Sequence, residues 1–216
     1  MCGRYASSRR PDDLVSYFEV EDPPEEVLAP SWNVAPTDPV YVVVQKETRQ
    51  LRVLRWGLVP SWSKDAKGAA RMINARMESV REKPAFRKAF ASRRCLVPAD
   101  GYYEWKLEAE GKQPYYLSTP EPLSMAGLYE HWKTPEGEWL STCTVITTSA
   151  PDDLGEIHDR TPLLVPREHW GTWLDRSVAD PGDLLIPGTP GVLDAWPVGK
   201  AVGNVRNNGP ELAQPT

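Results

Sequence analysis

The chain has 216 residues, is 40% hydrophobic and carries a formal net charge of −5. That length fits one large domain or two small ones, and the hydrophobic share can close a core. No apolar run approaches the roughly 18 residues of a membrane span, and the first dozen residues lack an apolar h-region, so no secretory signal is expected.

The stretch RPDDLVSYFEV reads as a short helix opened by Pro11, with acidic residues in its first turn. PVYVVVQ and LRVLRW read as strands, the second alternating with period 2, joined through Glu47, Thr48 and Arg49. KPAFRKAFASRR reads as a helix. Four β-rich runs follow, RCLVPADGYYEWKLE, QPYYLS, LSMAGLYEHW and WLSTCTVITTSA, separated by Gly, Pro and charge. VPREHWGTWLD is a helix candidate with Pro166 near its start, GVLDAWPV returns to the sheet, and VRNNGPELAQPT reads as a tail laid over the domain. Strands dominate and no βαβ alternation is present. The expected fold is therefore α+β: one β-rich domain over residues 1–216, with a mostly antiparallel sheet or open-barrel core and short peripheral helices. The 22 prolines are spread throughout, marking many tight loops and no single linker.

Cysteines stand at positions 2, 95 and 143, an odd count with no CxxC. That argues against a disulfide framework and against a zinc site, and a reducing, intracellular setting is expected. The charge is unevenly placed. Between Lys46 and Arg94 there are 14 Lys/Arg against 4 Asp/Glu, a local balance of +10 that leaves −15 elsewhere. A basic middle third can hold a phosphate backbone on an acidic protein. It can equally be a solvated helix face with scattered surface charge.

Four polar spots carry possible chemistry. Position alone leaves Cys2 either a frayed terminal cysteine or, once Met1 is removed, a residue bearing a free α-amine and a thiol on adjacent carbons. Both groups are partly nucleophilic near neutral pH, and together they convert an aldehyde to an imine and then to a five-membered thiazolidine. Glu104, in DGYYEWK, shares a strand face with Tyr102, while Tyr103 and Trp105 take the other. It is either an ordinary solvent-side Glu or a desolvated carboxyl tuned for general acid–base work. His158 sits in a charged loop beside Asp159 and Arg160, as a turn residue or a proton shuttle. Asn74 and Arg76, in MINARMES, lie in the basic third; Asn can orient a carbonyl or sugar oxygen, and Arg can pair with phosphate. Asn33 precedes a Pro-bounded loop. Trp62 lies in a loop of the basic stretch, where aromatics among Lys/Arg suit stacking of unpaired bases.

Taken in order, MCGRY, WNVAPT, RWGLVPSW, INAR.ES, DGYYEWK, IHDRTP and AVGNVRNNGPEL resemble the signature blocks of the SRAP family, the SOS-response-associated peptidase or abasic-site processing proteins. The resemblance spans nearly the whole chain. It implies covalent capture of abasic sites in single-stranded DNA by Cys2 after Met1 removal, on a fold with a basic DNA-binding channel. It gives Asn74, Glu104 and His158 catalytic roles beside Cys2: Asn74 orients the terminus or the sugar, Glu104 moves protons during imine formation and self-processing, and His158 serves the sugar oxygen. Arg4, Arg76 and Arg160 would hold phosphates, with Asn33, Pro36 and Trp62 shaping the strand's path. No metal, cofactor or membrane partner is implied, and a monomer at the cytoplasm's DNA, or in a nucleus, is expected. Two other readings remain: a thiol peptidase acting in trans through Cys2, His158 and Asn74, and a non-covalent reader of damaged DNA.

Overall fold

The computed structural model describes residues 2–216. In chain order the elements are β1 (Arg4–Ser7), α1 (Pro11–Tyr17), β2 (Ser31–Val34), β3 (Pro39–Gln45), β4 (Arg49–Trp56), β5 (Asn74–Arg76), α2 (Arg87–Ser92), β6 (Arg94–Glu108), β7 (Gly111–Lys133), β8 (Trp139–Ser149), α3 (Asp152–Gly155), β9 (Arg160–Pro162), α4 (Trp170–Leu174) and β10 (Asp194–Pro197). The strands form one sheet in the order β10-β7-β8-β4-β3-β6-β1-β2, with β5 and β9 both paired to β8 and a further pairing of β6 with β7. The sheet is mixed: β4 and β5 run parallel to β8, and the other pairings are antiparallel.

Period-2 alternation divides the core between the two faces of the sheet. Val42 and Val44 join one buried cluster with Tyr5, Trp56, Val97 and Tyr102. Val43 and Leu96 join the other, which the short helices close with Leu14, Phe90, Trp170 and Trp173. The helices are peripheral because each is too short to bury more than one stripe. A third cluster, Tyr103 and Tyr116 with Val198, Val202 and Leu212, lies where the C-terminal segment crosses the sheet as expected.

Two of the expected β-runs, QPYYLS and LSMAGLYEHW, belong to the single strand β7. Pro120 and Pro122, which lack amide donors, fall at an irregularity where β6 advances from Ala99 to Gly101 while β7 advances from Ser118 to Leu123. The extra residues leave the register there, and the strand resumes beyond them. Gly101 serves the same corner: a Cβ on it would lie 2.4 Å from the Tyr116 ring, so only Gly lets that ring cross the strand.

The basic third is less free than its charge count implies. Arg49 pairs with Glu19, Arg52 with Asp22, Arg81 with Asp180 and Arg93 with Glu130. Arg94 is buried against main-chain carbonyls, among them those of Phe90, Trp173 and Val178. The exposed cations of the segment include Lys64, Lys67, Arg71 and Arg76. No helix among the described residues is long and apolar enough to cross a membrane.

Candidate active site

Strand β1 brings the chain start to the site. Its register against β6, Arg4 opposite Tyr103 and Tyr5 opposite Tyr102, carries Cys2 and Gly3 alongside the stretch that begins at Glu104. Cys2 is not a frayed end: it is 0% exposed and belongs to the core cluster of Tyr5 and Tyr102. Burial, reinforced by the nearby Glu104 carboxylate, pushes its thiol pKa far up. Its Sγ donates weakly to the Arg4 carbonyl at 3.9 Å.

Asn74 arrives from β5, held by the parallel pairing of Asn74 with Val145 on β8. Its amide Nδ2 donates to the Cys2 carbonyl at 2.7 Å. Its Oδ1 is buried with no hydrogen-bond partner among the described residues. A buried acceptor left in that state costs free energy.

Glu104 is 3% exposed, so the solvent-side alternative is excluded. Burial raises its pKa to about 7. His158 follows α3 in the loop that leads into β9. Its Nε2 lies 3.9 Å from Glu104 Oε2. Its Nδ1 accepts the Arg160 main-chain N–H at 2.9 Å, and Asp159 Oδ1 is also 2.9 Å from that nitrogen. A neutral ring serves only one of these at a time. Burial lowers the His158 pKa and favours the neutral ring, and the Asp159 side chain is exposed. The Arg160 N–H is therefore the partner we assign, which leaves the ring proton on Nε2, facing Glu104.

The cleft that opens here has a volume of about 410 Å³ and is lined by Glu104, Trp105, Lys112, His158 and Gly203. Trp105, Lys112 and Gly203 did not emerge from the sequence reading. Lys112 sits opposite Leu107 just beyond the β6–β7 hairpin tip, a position that a hairpin reading of LEAEGK would have supplied. A more apolar cavity of about 250 Å³, lined by residues such as Leu164, Ile186 and Val192, contains none of these groups. Among the described residues no three His, Cys, Asp or Glu side chains are placed to hold a metal ion.

The remaining candidates separate into two groups. Arg76 is exposed at the end of β5, and Trp62 is 63% exposed in its loop. Pro36 is half-buried before Thr37, whose φ is +77°. Arg160, in contrast, is 8% exposed and already engaged: Nη1 and Nη2 grip Glu78 at 2.6 and 3.1 Å, and Nη2 donates to the Thr147 carbonyl at 2.6 Å. Its charge is matched internally, which makes it a support for β9 and His158 and not an open phosphate contact. Asn33 is 4% exposed. Its Nδ2 donates to the carbonyls of Val202, Asn204 and Asn207, and its Oδ1 accepts from Arg4 Nη1 at 2.7 Å.

A family model described as SOS response associated peptidase (SRAP) matches residues 1–205. The chain is 40% identical over 222 residues to the abasic site processing protein YoqW of Bacillus subtilis (strain 168), covering 99% of each chain. It is 32% identical to the abasic site processing protein HMCES of Xenopus tropicalis, covering 98% of this chain and 77% of that one. The fold superposes on the crystal structure of a protein from Bacteroides thetaiotaomicron with a TM-score of 0.90 and 25% identity, covering 100% of both.

Proposed function

Because the chain belongs to the SOS response associated peptidase (SRAP) family, we propose that it processes abasic sites in single-stranded DNA by forming a covalent thiazolidine through Cys2. The relatives named as abasic site processing proteins support the lesion as substrate. The observation that carries the chemistry is a buried Cys2, anchored by Asn74 and near enough to the Glu104 carboxyl to feel its charge, with that carboxyl beside His158 in the lining of the cleft.

Removal of Met1, which lies outside the described residues, gives Cys2 its α-amine. The ring-opened deoxyribose presents an aldehyde. The amine nitrogen attacks C1′, and the carbonyl oxygen takes up a proton to give a carbinolamine. The protonated Glu104 carboxyl donates to the departing hydroxyl, and water leaves as the imine forms. The thiol sulfur then adds to the imine carbon, and its proton passes to the nitrogen through the Glu104 carboxylate. The net change is aldehyde plus aminothiol to thiazolidine plus water. A carboxyl that titrates near neutrality changes protonation state in both directions at little cost. A thiol kept neutral by burial enters second, so amine attack comes first. His158, with its proton on Nε2, serves the sugar oxygen during ring opening and reversal. Arg76 and the exposed Lys64, Lys67 and Arg71 hold the phosphate backbone, with Trp62 free to stack on a base. The same Glu104 carboxyl is the candidate for self-processing at the Met1–Cys2 bond and for lyase-like steps.

Reducing the abasic aldehyde to an alcohol with borohydride before mixing tests this directly. The reading requires that reduced DNA bind without forming an adduct. Equal adduct from reduced and unreduced DNA would exclude it. Peptide cleavage in trans is disfavoured by the same site. A thiol protease needs its cysteine activated by a base, whereas the hydrogen-bond acceptor of Cys2 Sγ is a main-chain carbonyl and the thiol pKa is raised.

A further inference from the structure

We infer that Asn33 is a positioning residue: a buried amide that fixes the loop over residues 200–207 as a wall of the cleft, in register with the strand that carries Cys2. This rests on the capture reading above and deepens it.

An Asn side chain has two N–H donors and one carbonyl acceptor. At Asn33 the donors face three carbonyls, Val202 at 3.3 Å, Asn204 at 3.0 Å and Asn207 at 2.9 Å. The acceptor is taken by Arg4 Nη1 at 2.7 Å, and that same nitrogen also donates to the Val202 carbonyl at 2.9 Å. The residue is 4% exposed and both N–H donors are engaged, so no donor remains for a DNA strand.

What the amide holds is the point of interest. The loop has only a short 3₁₀ turn, Lys200–Gly203, and its own contacts are local: Asn207 Nδ2 donates to the Ala201 carbonyl, and Asn204 Oδ1 accepts the Arg206 N–H. Val202 is its buried anchor, and Gly203 lines the cleft beside Glu104 and His158. Arg4 lies two residues from Cys2 on β1, and Asn33 lies on β2, which pairs with β1. Asn33 thus ties the nucleophile's strand to the loop that supplies Gly203 to the cleft wall. Arg206 and Lys200 on that loop are exposed, so the wall presents cations to a bound strand. Fixing such a wall sets the angle at which the aldehyde meets Cys2, and small misplacements of reacting groups are costly in rate.

The test compares Asn33→Ala and Arg4→Lys with the wild-type protein on abasic single-stranded DNA, well below the unfolding temperature of each. Three quantities are read: the adduct formation rate at saturating DNA, the half-saturating DNA concentration, and the salt slope of binding. A positioning role predicts a saturating rate lower by about 10- to 100-fold with the salt slope unchanged. It also predicts faster amide exchange in residues 200–207 of the variant. A phosphate or base contact predicts the reverse: weaker binding, and for a phosphate a slope flatter by about 0.7, with the saturating rate retained. That result, or a wild-type saturating rate in Asn33→Ala, overturns the inference. Should Asn33→Ala fail to fold, Arg4→Lys decides alone. It keeps the charge that a phosphate would need, while its single ammonium cannot reproduce the guanidinium geometry that joins Asn33 to Val202. Failure of the wild-type protein to form any adduct is a different result and strikes the capture reading instead.

Discussion

The side-chain amide of Asn74 donates to the main-chain carbonyl of Cys2 across 2.7 Å. That carbonyl is bonded to the α-carbon that carries the amine and the thiol-bearing side chain, so the contact restrains rotation about the Cα–C bond and anchors the residue from which both nucleophiles project. Asn74→Ala is expected to slow single-turnover adduct formation by about 10- to 100-fold. Asn74→Asp should do the same, because a carboxylate cannot donate to a carbonyl. Rapid-quench time courses on abasic single-stranded DNA measure both, and a wild-type rate in Asn74→Asp would show that the contact is incidental.

Glu104→Gln keeps size and hydrogen-bonding reach but cannot titrate. Adduct formation should fall by about 10²- to 10⁴-fold, the usual range for general acid–base catalysis. In the wild type the rate should rise as the amine loses its proton and decline as Glu104, near pKa 7, loses the acid form. The decline above pH 7 should vanish in Glu104→Gln. A rate–pH profile from pH 6 to 9 resolves this, and an unchanged limb in the variant would assign the acid elsewhere.

The same burial has a stability consequence. Glu104 binds its proton more tightly folded than unfolded, with the pKa raised by burial from 4.5 to about 7. The stability tied to the protonated carboxyl is fully present below pH 4.5 and is lost as pH rises through about 7. Glu104→Gln, neutral throughout, should therefore gain on the order of 3 kcal/mol over wild type at pH 8 and little at pH 4. In a chain of this size that is about 5–10 °C in Tm. Thermal unfolding at pH 4, 6 and 8 checks it; a gain independent of pH would mean that the carboxyl titrates alike in the folded and unfolded chain.

Arg76 and Arg160 should behave as opposites. Arg76 is exposed, and Arg76→Ala should weaken DNA binding and flatten its salt slope by about 0.7 if it meets one phosphate. Arg160 is committed to Glu78 and Thr147. Arg160→Ala should leave the salt slope unchanged and destabilise the fold by about 2 kcal/mol, below the range for a fully buried pair because Glu78 is half-exposed. Salt titrations and urea unfolding of the two variants separate these effects.

The sequence showed the elements whose signals are local. The apolar run PVYVVVQ and the alternating LRVLRW became β3 and β4, Pro11 opened α1, and the period-2 face of Tyr102 and Glu104 is the face toward Cys2. The short strands β1, β2, β5 and β9 were not legible, because three or four residues carry too little periodicity and exist by pairing with distant partners. The roles of Arg160 and Asn33 were hidden for the same reason. Arg160 is matched by Glu78, 82 positions away, and Asn33 by carbonyls some 170 positions on. A residue's type announces what it can bind, but only the fold decides whether that capacity is already spent inside the protein.

In the proposed reaction Cys2 captures the abasic aldehyde with both its amine and its thiol. Intact mass spectrometry after incubation with a single-stranded oligonucleotide bearing one abasic site tests it most directly. The wild-type protein should appear without Met1 and gain the mass of the oligonucleotide less one water, as a heat-stable product. Cys2→Ser, which keeps only the amine, should give a stable adduct only after borohydride trapping, and its mass gain should be two hydrogens larger because the imine is reduced to an amine. A heat-stable, untrapped adduct from Cys2→Ala or Cys2→Ser would rule out capture through the paired amine and thiol.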